Sequence, residues 1–187
     1  YCRIARQTTL SVDIVVLSPQ ASTLAVLLAK APDTRSRERW ILPWDAPRGE
    51  ESLADAATRI GRGVLGTSPA AVEQIRAFGD NRRHPGDAEL SVGFVLLVPY
   101  GTRELPEAET AWFGLGDLPT LAPRHRAILD SAVEMVRNRL DQSPIAFRLL
   151  PPTFTLSDLQ SIYELLLGRR LHKASFRRAL QAASLVE

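Results

Sequence analysis

The chain has 187 residues, 45% of them hydrophobic and 24% charged, a globular balance that excludes long-range disorder. No apolar run approaches the roughly 18 residues that a membrane span needs, and the single cysteine, Cys2, excludes an internal disulfide framework and a multi-cysteine zinc site. The formal net charge of +2 is uneven: residues 145–187 hold six Lys/Arg against three acids, which leaves 17 basic and 18 acidic residues in 1–144. A near-neutral body with a basic tail points to a polyanionic partner, although a solvated basic face has the same composition.

In chain order, Thr8–Leu17 and Thr23–Lys30 are β-rich runs separated by the turn cluster Ser18–Ser22. A helix follows, which Ser52 can cap with Asp55 three residues on, and whose Leu53, Ala56, Ala57, Ile60 and Val64 share one stripe. Glu73–Phe78 and Leu90–Pro99 flank the polar stretch 79–88, and Thr110–Leu115 is a further short strand. Strands that enclose a helix predict an α+β sandwich, not a regular βαβ repeat. From Pro123 to about Leu140 the pattern is helical, with Ile128, Ala132, Met135, Val136 and Leu140 apolar and Arg124, Arg126, Arg137 and Arg139 outside the stripe. Asp141-Gln-Ser-Pro144 ends it and places a junction between a domain 1–144 and a domain 145–187.

The second segment is compact. Thr155-Leu-Ser-Asp158 reads as a capping box, Leu156, Leu159, Tyr163 and Leu166 form a stripe, and Gly168 is a helix stop. A second helix over 173–183 completes a helix-turn-helix. On it Phe176, Ala179, Leu180 and Ala183 gather on one face, while Arg177, Arg178 and Gln181 lie opposite with Lys173 at the edge. Such a front suits a DNA major groove, because arginine bonds guanine bidentately and glutamine bonds adenine. Arg169, Arg170 and Ser175 are placed for phosphates. A surface helix of an all-protein module would share the amphipathic pattern.

The helix near residue 60 sits in the text Trp40-Ile-Leu-Pro-Trp-Asp-Ala-Pro-Arg-Gly-Glu-Glu-Ser-Leu-Ala-Asp-Ala-Ala-Thr-Arg-Ile-Gly-Arg-Gly-Val-Leu-Gly66. This resembles a degenerate Nudix box, G-x5-E-x7-R-E-U-x-E-E-x-G-U with U a bulky aliphatic. Glu51, Arg59 and Gly66 match, but the glycine position holds Asp45 and the three metal-binding glutamates fall on Ile60, Gly63 and Val64. Positions i, i+3 and i+4 share one helical face, the arrangement by which that family gathers carboxylates around Mg²⁺. That face has no oxygen ligand here, so neither a metal cofactor nor catalytic residues are expected. Glycines at 61 and 63 should also weaken the helix, by about 1 kcal/mol each relative to alanine.

A second resemblance runs through Ala122-Pro-Arg-His-Arg-Ala-Ile-Leu129, Ile145-Ala-Phe-Arg-Leu-Leu-Pro151, Phe154-Thr-Leu-Ser-Asp-Leu-Gln-Ser-Ile-Tyr163, Leu167-Gly-Arg169 and Phe176-Arg-Arg178. With the degenerate box, nearly the whole chain resembles the Nudix-related transcriptional regulators of NAD metabolism. The resemblance implies an α/β/α Nudix-like sandwich followed by a small α-helical winged helix-turn-helix domain. It further implies a homodimeric repressor of NAD biosynthesis or salvage genes that binds double-stranded operator DNA and senses ADP-ribose or a related nucleotide. The family's wing follows the recognition helix, and the sequence stops at Glu187 before it. Either the chain continues past this point or the protein lacks the wing, in which case some phosphate contacts are lost and affinity drops at moderate salt.

For the nucleotide effector, Arg48, Glu51 and Arg59 beside the box and Arg82 and Arg83 in the 79–88 stretch are the candidate ligand residues, since a diphosphate needs arginine or backbone donors. Each can equally be a loop arginine or an ion-paired one. Trp44 can stack on an adenine or pack locally. His84, His125 and His172 show no metal-ligand spacing, and His125 and Arg126 cover a helix start without a further role. No charged-then-apolar leader follows Tyr1, so a cytoplasmic location with no membrane partner is expected. Two other readings remain open: a divergent Nudix hydrolase of nucleoside diphosphate derivatives that uses Asp45, Glu50 and Glu51, and a scaffold module for protein partners.

Overall fold

Strand β1, Leu10–Gln20, is the spine of the sheet, because its valines, Ile14 and Leu17 are buried on both faces. The computed structural model describes residues 8–20, 23–32, 37–69, 71–99, 109–140 and 144–182. β1 lies antiparallel to β2 (Thr23–Lys30) and parallel to β6 (Leu90–Leu97), which pairs antiparallel with β5 (Ala71–Phe78) across an irregularity between Gln74 and Ala77. The short strands β3 (Trp40–Ile41) and β4 (Trp44–Asp45) add to β2 and β1, and β7 (Thr110–Gly114) adds to β2. The order is β3-β2-β1-β6-β5. β3 and β4 escape sequence reading because two-residue strands carry no period.

The strand period of two sorts β1 onto two layers. Val12, Ile14 and Val16 face helix α1 (Leu53–Leu65) together with Leu27, Val92, Phe94 and Leu96. Val15 and Leu17 face helix α2 (Pro123–Arg139) with Val26, Leu28 and Val95. The result is the expected α/β/α sandwich. One detail departs from expectation: β1 runs on through Ser18–Gln20, where a turn is predicted. Its β6 ladder ends at Leu17, so Pro19 meets only the β2 pairing.

Both α1 caps form as read from the sequence: Ser52 Oγ accepts the Asp55 N–H at 3.1 Å, and Gly66 closes the helix at φ +67°. Gly61 has a packing reason beyond its helix propensity. A Cβ there would lie 2.3 Å from a Leu96 methyl, so the glycine lets α1 approach β6. In α2 the expected stripe is buried at Ile128, Ala132 and Val136, with Leu129 added. Arg124 departs from its expected exposure and is only 3% accessible, because its guanidinium donates to the carbonyls of Ala88, Glu89 and Asp80.

The α2 layer shares its buried cluster with the C-terminal segment. A short 3-10 helix (Pro144–Leu149), α3 (Leu156–Leu167) and α4 (Lys173–Ala182) contribute Ile145, Leu149, Leu159, Ile162, Tyr163, Leu166, Phe176 and Leu180 to the same buried cluster as Ile128 and Val136. The capping box at α3 forms in both directions, and Gly168 ends the helix at φ +66°. Among the described residues no helix is long and apolar enough to cross a membrane.

Candidate functional site

Helix α4 packs onto α3 through Phe176, whose ring meets Tyr163 edge-on at 5.1 Å, and through Leu180. Those two anchors turn the other face outward. Lys173, Ser175, Arg177, Arg178 and Gln181 are all exposed, as are Arg169 and Arg170 in the turn. None of these seven side chains has a protein hydrogen-bond or ion-pair partner among the described residues. Ala179 is exposed, not packed, and Ala183 lies outside the described residues. The turn itself is braced from α3: Glu164 Oε1 accepts from Gln160 Nε2 and from the Leu171 backbone N–H at 2.8 Å. Those two hydrogen bonds hold the Glu164 carboxyl below its usual range, with Arg170 adding to them. A fixed turn that carries unpaired cations beside an amphipathic helix is a surface for a polyanion.

The residues around the degenerate box behave differently. Asp45, Arg48, Glu51 and Arg59 come together in one ion-pair cluster. Arg59 donates from Nε and Nη2 to the two Glu51 oxygens at 3.1 and 2.6 Å, from Nη1 to Asp45 at 2.7 Å, and from Nη2 to the Ala46 carbonyl. Arg48 also reaches Asp45, at 2.6 Å. Hydrogen bonding from Arg59 holds the Glu51 carboxyl below its usual range, and Arg59 itself is shifted further toward its charged form. Arg82 and Arg83 lie apart from this cluster: Arg82 pairs with Asp80 at 3.0 Å and Arg83 pairs with the buried Glu38.

The three positions where the Nudix pattern places glutamates have diverged in two ways. Ile60 points into the α1 core, whereas Gly63 and Val64 help to line a cavity of about 440 Å³ that Lys30 and Glu109 share. Trp44 packs locally, edge-on to His84 at 4.8 Å and over Gly86, where a Cβ would lie 2.1 Å from the indole.

A cluster absent from the sequence reading sits between the sheet and α2. Asp13, His84 and His125 are completely buried side by side, which corrects the expectation of scattered histidines and of a His125 that merely covers a helix start. His125 Nδ1 accepts the Leu42 N–H at 3.1 Å and His84 Nδ1 accepts the Gly86 N–H at 3.0 Å. Each ring therefore carries its proton on Nε2, and both Nε2–H groups aim at Asp13 Oδ1, at 2.9 and 2.8 Å. Ser11 Oγ donates to the other oxygen at 2.7 Å. The ligand atoms lie within 4.8 Å of one another, as in a metal site, but the two ring nitrogens that would face an ion are spent as donors. Burial raises the Asp13 carboxyl, yet the histidine hydrogen bonds overcome it and hold the group well below the usual range. Burial pushes the His125 imidazole down, against the pull of Asp13. The signal for this lock was Asp13 itself, a charge inside an apolar strand run. Arg126 stays exposed and pairs with Asp130 one turn on.

Fold and surface thus define the class: a Nudix-like sandwich joined to a helix-turn-helix with an open cationic face. Comparison with known proteins makes the class particular. Residues 146–187 match the NrtR DNA-binding winged helix domain family. The ADPR-responsive transcriptional repressor NtrR of Acinetobacter baylyi is 26% identical over 186 residues, which is 95% of this chain and 74% of that protein. The crystal structure of Shewanella oneidensis NrtR with a 27mer DNA superposes with a TM-score of 0.83 at 26% identity, covering 94% of this chain and 83% of that one. The Nudix domain of the same Shewanella protein, solved with ADP ribose, shares the fold alone, with a TM-score of 0.60 at 23% identity over 70% of this chain and 90% of its own. Nearly the whole chain is thus similar to Nudix-related transcriptional regulators of the NrtR type, in which a Nudix-like domain is followed by a winged helix domain.

Proposed function

We propose that the protein is a ligand-responsive repressor that binds double-stranded operator DNA through α4 and the turn before it, and that its effector is ADP-ribose or a related nucleotide. The observation that carries this reading is the row of exposed, unpartnered Lys173, Arg177, Arg178 and Gln181 on a helix whose other face is anchored by Phe176 and Leu180. Arg177, Arg178 and Gln181 read base edges in the major groove, while Arg169, Arg170 and Ser175 hold phosphates. The DNA complex of the Shewanella relative and the ADPR response of the Acinetobacter one support the two halves of this assignment.

The sensor half works without hydrolysis in this reading, and without a resident metal. A Mg²⁺-dependent pyrophosphatase needs oxygen ligands on the helix face, and Ile60, Gly63 and Val64 supply none. Arg48, Glu51, Arg59, Arg82 and Arg83 are proposed as effector-binding residues on different terms. Arg59 and Glu51 are already engaged with each other, so a nucleotide diphosphate would have to exchange with Glu51 or Asp45 for the guanidinium. Exposed Arg48, Arg82 and Arg83 can offer spare donors. NAD biosynthesis or salvage genes as targets, a homodimer that matches a two-fold operator, and a cytoplasmic setting complete the proposal.

The test is fluorescence anisotropy of the full chain on duplexes from upstream of NAD-biosynthesis genes, titrated with ADP-ribose at fixed salt. Tight sequence-selective binding that ADP-ribose shifts is the expected outcome, and linkage requires DNA to shift ADP-ribose affinity by the same factor. Mg²⁺-dependent release of AMP from ADP-ribose, abolished by Glu51→Gln, would instead establish the hydrolase reading.

A further inference from the structure

A crevice of about 640 Å³ opens between the start of β2, the end of α2 and the α3–α4 turn. Its charged lining is three arginines, Arg137, Arg169 and Arg170, against one acid, Glu164. Arg137 comes from the Nudix-like half, and the other two come from the DNA-binding half. Arg137 spends only Nε, which donates to the Leu166 carbonyl at 2.8 Å and so answers an unsatisfied oxygen at the α3 C-terminus. Its guanidinium lies beside the turn, with Nη2 4.0 Å from where a Cβ on Gly168 would stand. Neither its Nη groups nor the guanidiniums of Arg169 and Arg170 have protein acceptors among the described residues. Glu164, whose Oε1 is held by Gln160 and the Leu171 N–H, offsets only one of these three charges, so the lining keeps a net positive charge.

We propose that this crevice is a phosphate-binding site, in which Arg137 from one half of the molecule and Arg169 and Arg170 from the other hold the same phosphate group. Planar guanidinium forks match the oxygens of a phosphate, and three cations around one cleft disfavour leaving it to chloride and water. The phosphate has two sources of one chemistry: the backbone of bound DNA, or a phosphorylated small molecule. Either way the bound group ties α2 to the turn that orients α4, so its occupancy changes how firmly the two halves are joined. The site stands on the crevice geometry and does not require the repressor reading, although its DNA source does.

The deciding variant is Arg137→Gln, which removes the one cation of the three that lies on α2 and not in the turn before α4. Calorimetric titration of the full chain with inorganic pyrophosphate should give an affinity that falls about tenfold in Arg137→Gln and again in Arg169→Gln/Arg170→Gln. If the phosphate belongs to DNA, the slope of log affinity against log salt for a duplex should also fall by about 0.9 in Arg137→Gln. If it belongs to a small molecule, pyrophosphate affinity drops and that slope stays put. Unchanged pyrophosphate affinity together with an unchanged slope, in a variant folded by circular dichroism, overturns the site while leaving any ADP-ribose response of DNA binding intact. Should Arg137→Gln unfold, Arg137→Lys keeps the charge and loses the fork, so pyrophosphate affinity alone decides: a fall supports the site and an unchanged affinity overturns it.

Discussion

Two sets of arginines in this molecule, on α1 and on α4, meet opposite fates. Arg59 of α1 is surrounded by Glu51, Asp45 and the Ala46 carbonyl, so its charge is consumed in holding the loop before the helix. Arg177 and Arg178 of α4 have no acceptor among the described residues and stand in solvent. A paired arginine fixes the fold around it, whereas an unpaired one on an anchored helix is kept for a partner. The difference follows from the surroundings: acids at positions 45 and 51 converge on Arg59, while no acid lies between Arg169 and Ala182.

The largest expected effect belongs to the buried extreme of this comparison, where pairing is obligatory. Asp13→Ala leaves two completely buried Nε2–H donors without an acceptor, so unfolding free energy should drop by about 3 kcal/mol or more by urea titration. A drop below about 1 kcal/mol would mean that the histidine donors find water or another acceptor.

At the unpaired extreme, Arg177→Gln/Arg178→Gln should weaken duplex binding on the order of 100-fold. The melting temperature should stay where it is, since no folded-state contact is removed. Equal losses in stability and affinity would show that α4 holds the domain together and does not read DNA.

Acid should separate the two kinds of site as well. The folded-state values of His125 and Asp13 are both depressed, so each favours the deprotonated form. The unfolded chain then binds more protons, and stability must rise with pH. The His125 contribution is present above the ordinary histidine value of 6.5 and is lost as pH falls below it; the Asp13 contribution is lost at still lower pH. Thermal melts from pH 8 to pH 4 should therefore show a falling melting temperature that begins near pH 6.5, and a flat profile there would remove His125 from the account.

The smallest effect is expected at the solvent-facing cluster. Arg59→Gln should lower the melting temperature by only a few degrees, because its half-buried pairs still lie at the surface, where water and salt screen them. It should leave duplex affinity unchanged when no effector is present. If Arg59→Gln instead abolishes the ADP-ribose response without changing stability, the exchange of Glu51 for a diphosphate gains direct support.

Much of this was legible in the residues. The alternation in β1 and β2, the Ser52 and Thr155 caps, Gly66 and Gly168, and the two faces of α4 are local patterns, and local patterns survive into the structure because backbone geometry sets their periods. The degenerate box was legible too, since a missing carboxylate is a fact of sequence. Arg124 was misplaced because helical period says which face a residue occupies, not whether loop carbonyls will come to meet it. Asp13, His84 and His125 were not joined because 71 residues separate the first two and 112 the outer pair, with no spacing rule to link them.

The sequence by itself determined the layer architecture, the helix ends, the loss of metal ligands on α1 and the basic front of α4. Only the tertiary structure decided which charges are spent and which are free. Whether an arginine has a partner depends on acids brought in by other segments, and chain folding over long separations sets those meetings. That holds for Arg59 with Asp45, for Asp13 with its two histidines, and for Arg137 beside the turn that carries Arg169 and Arg170.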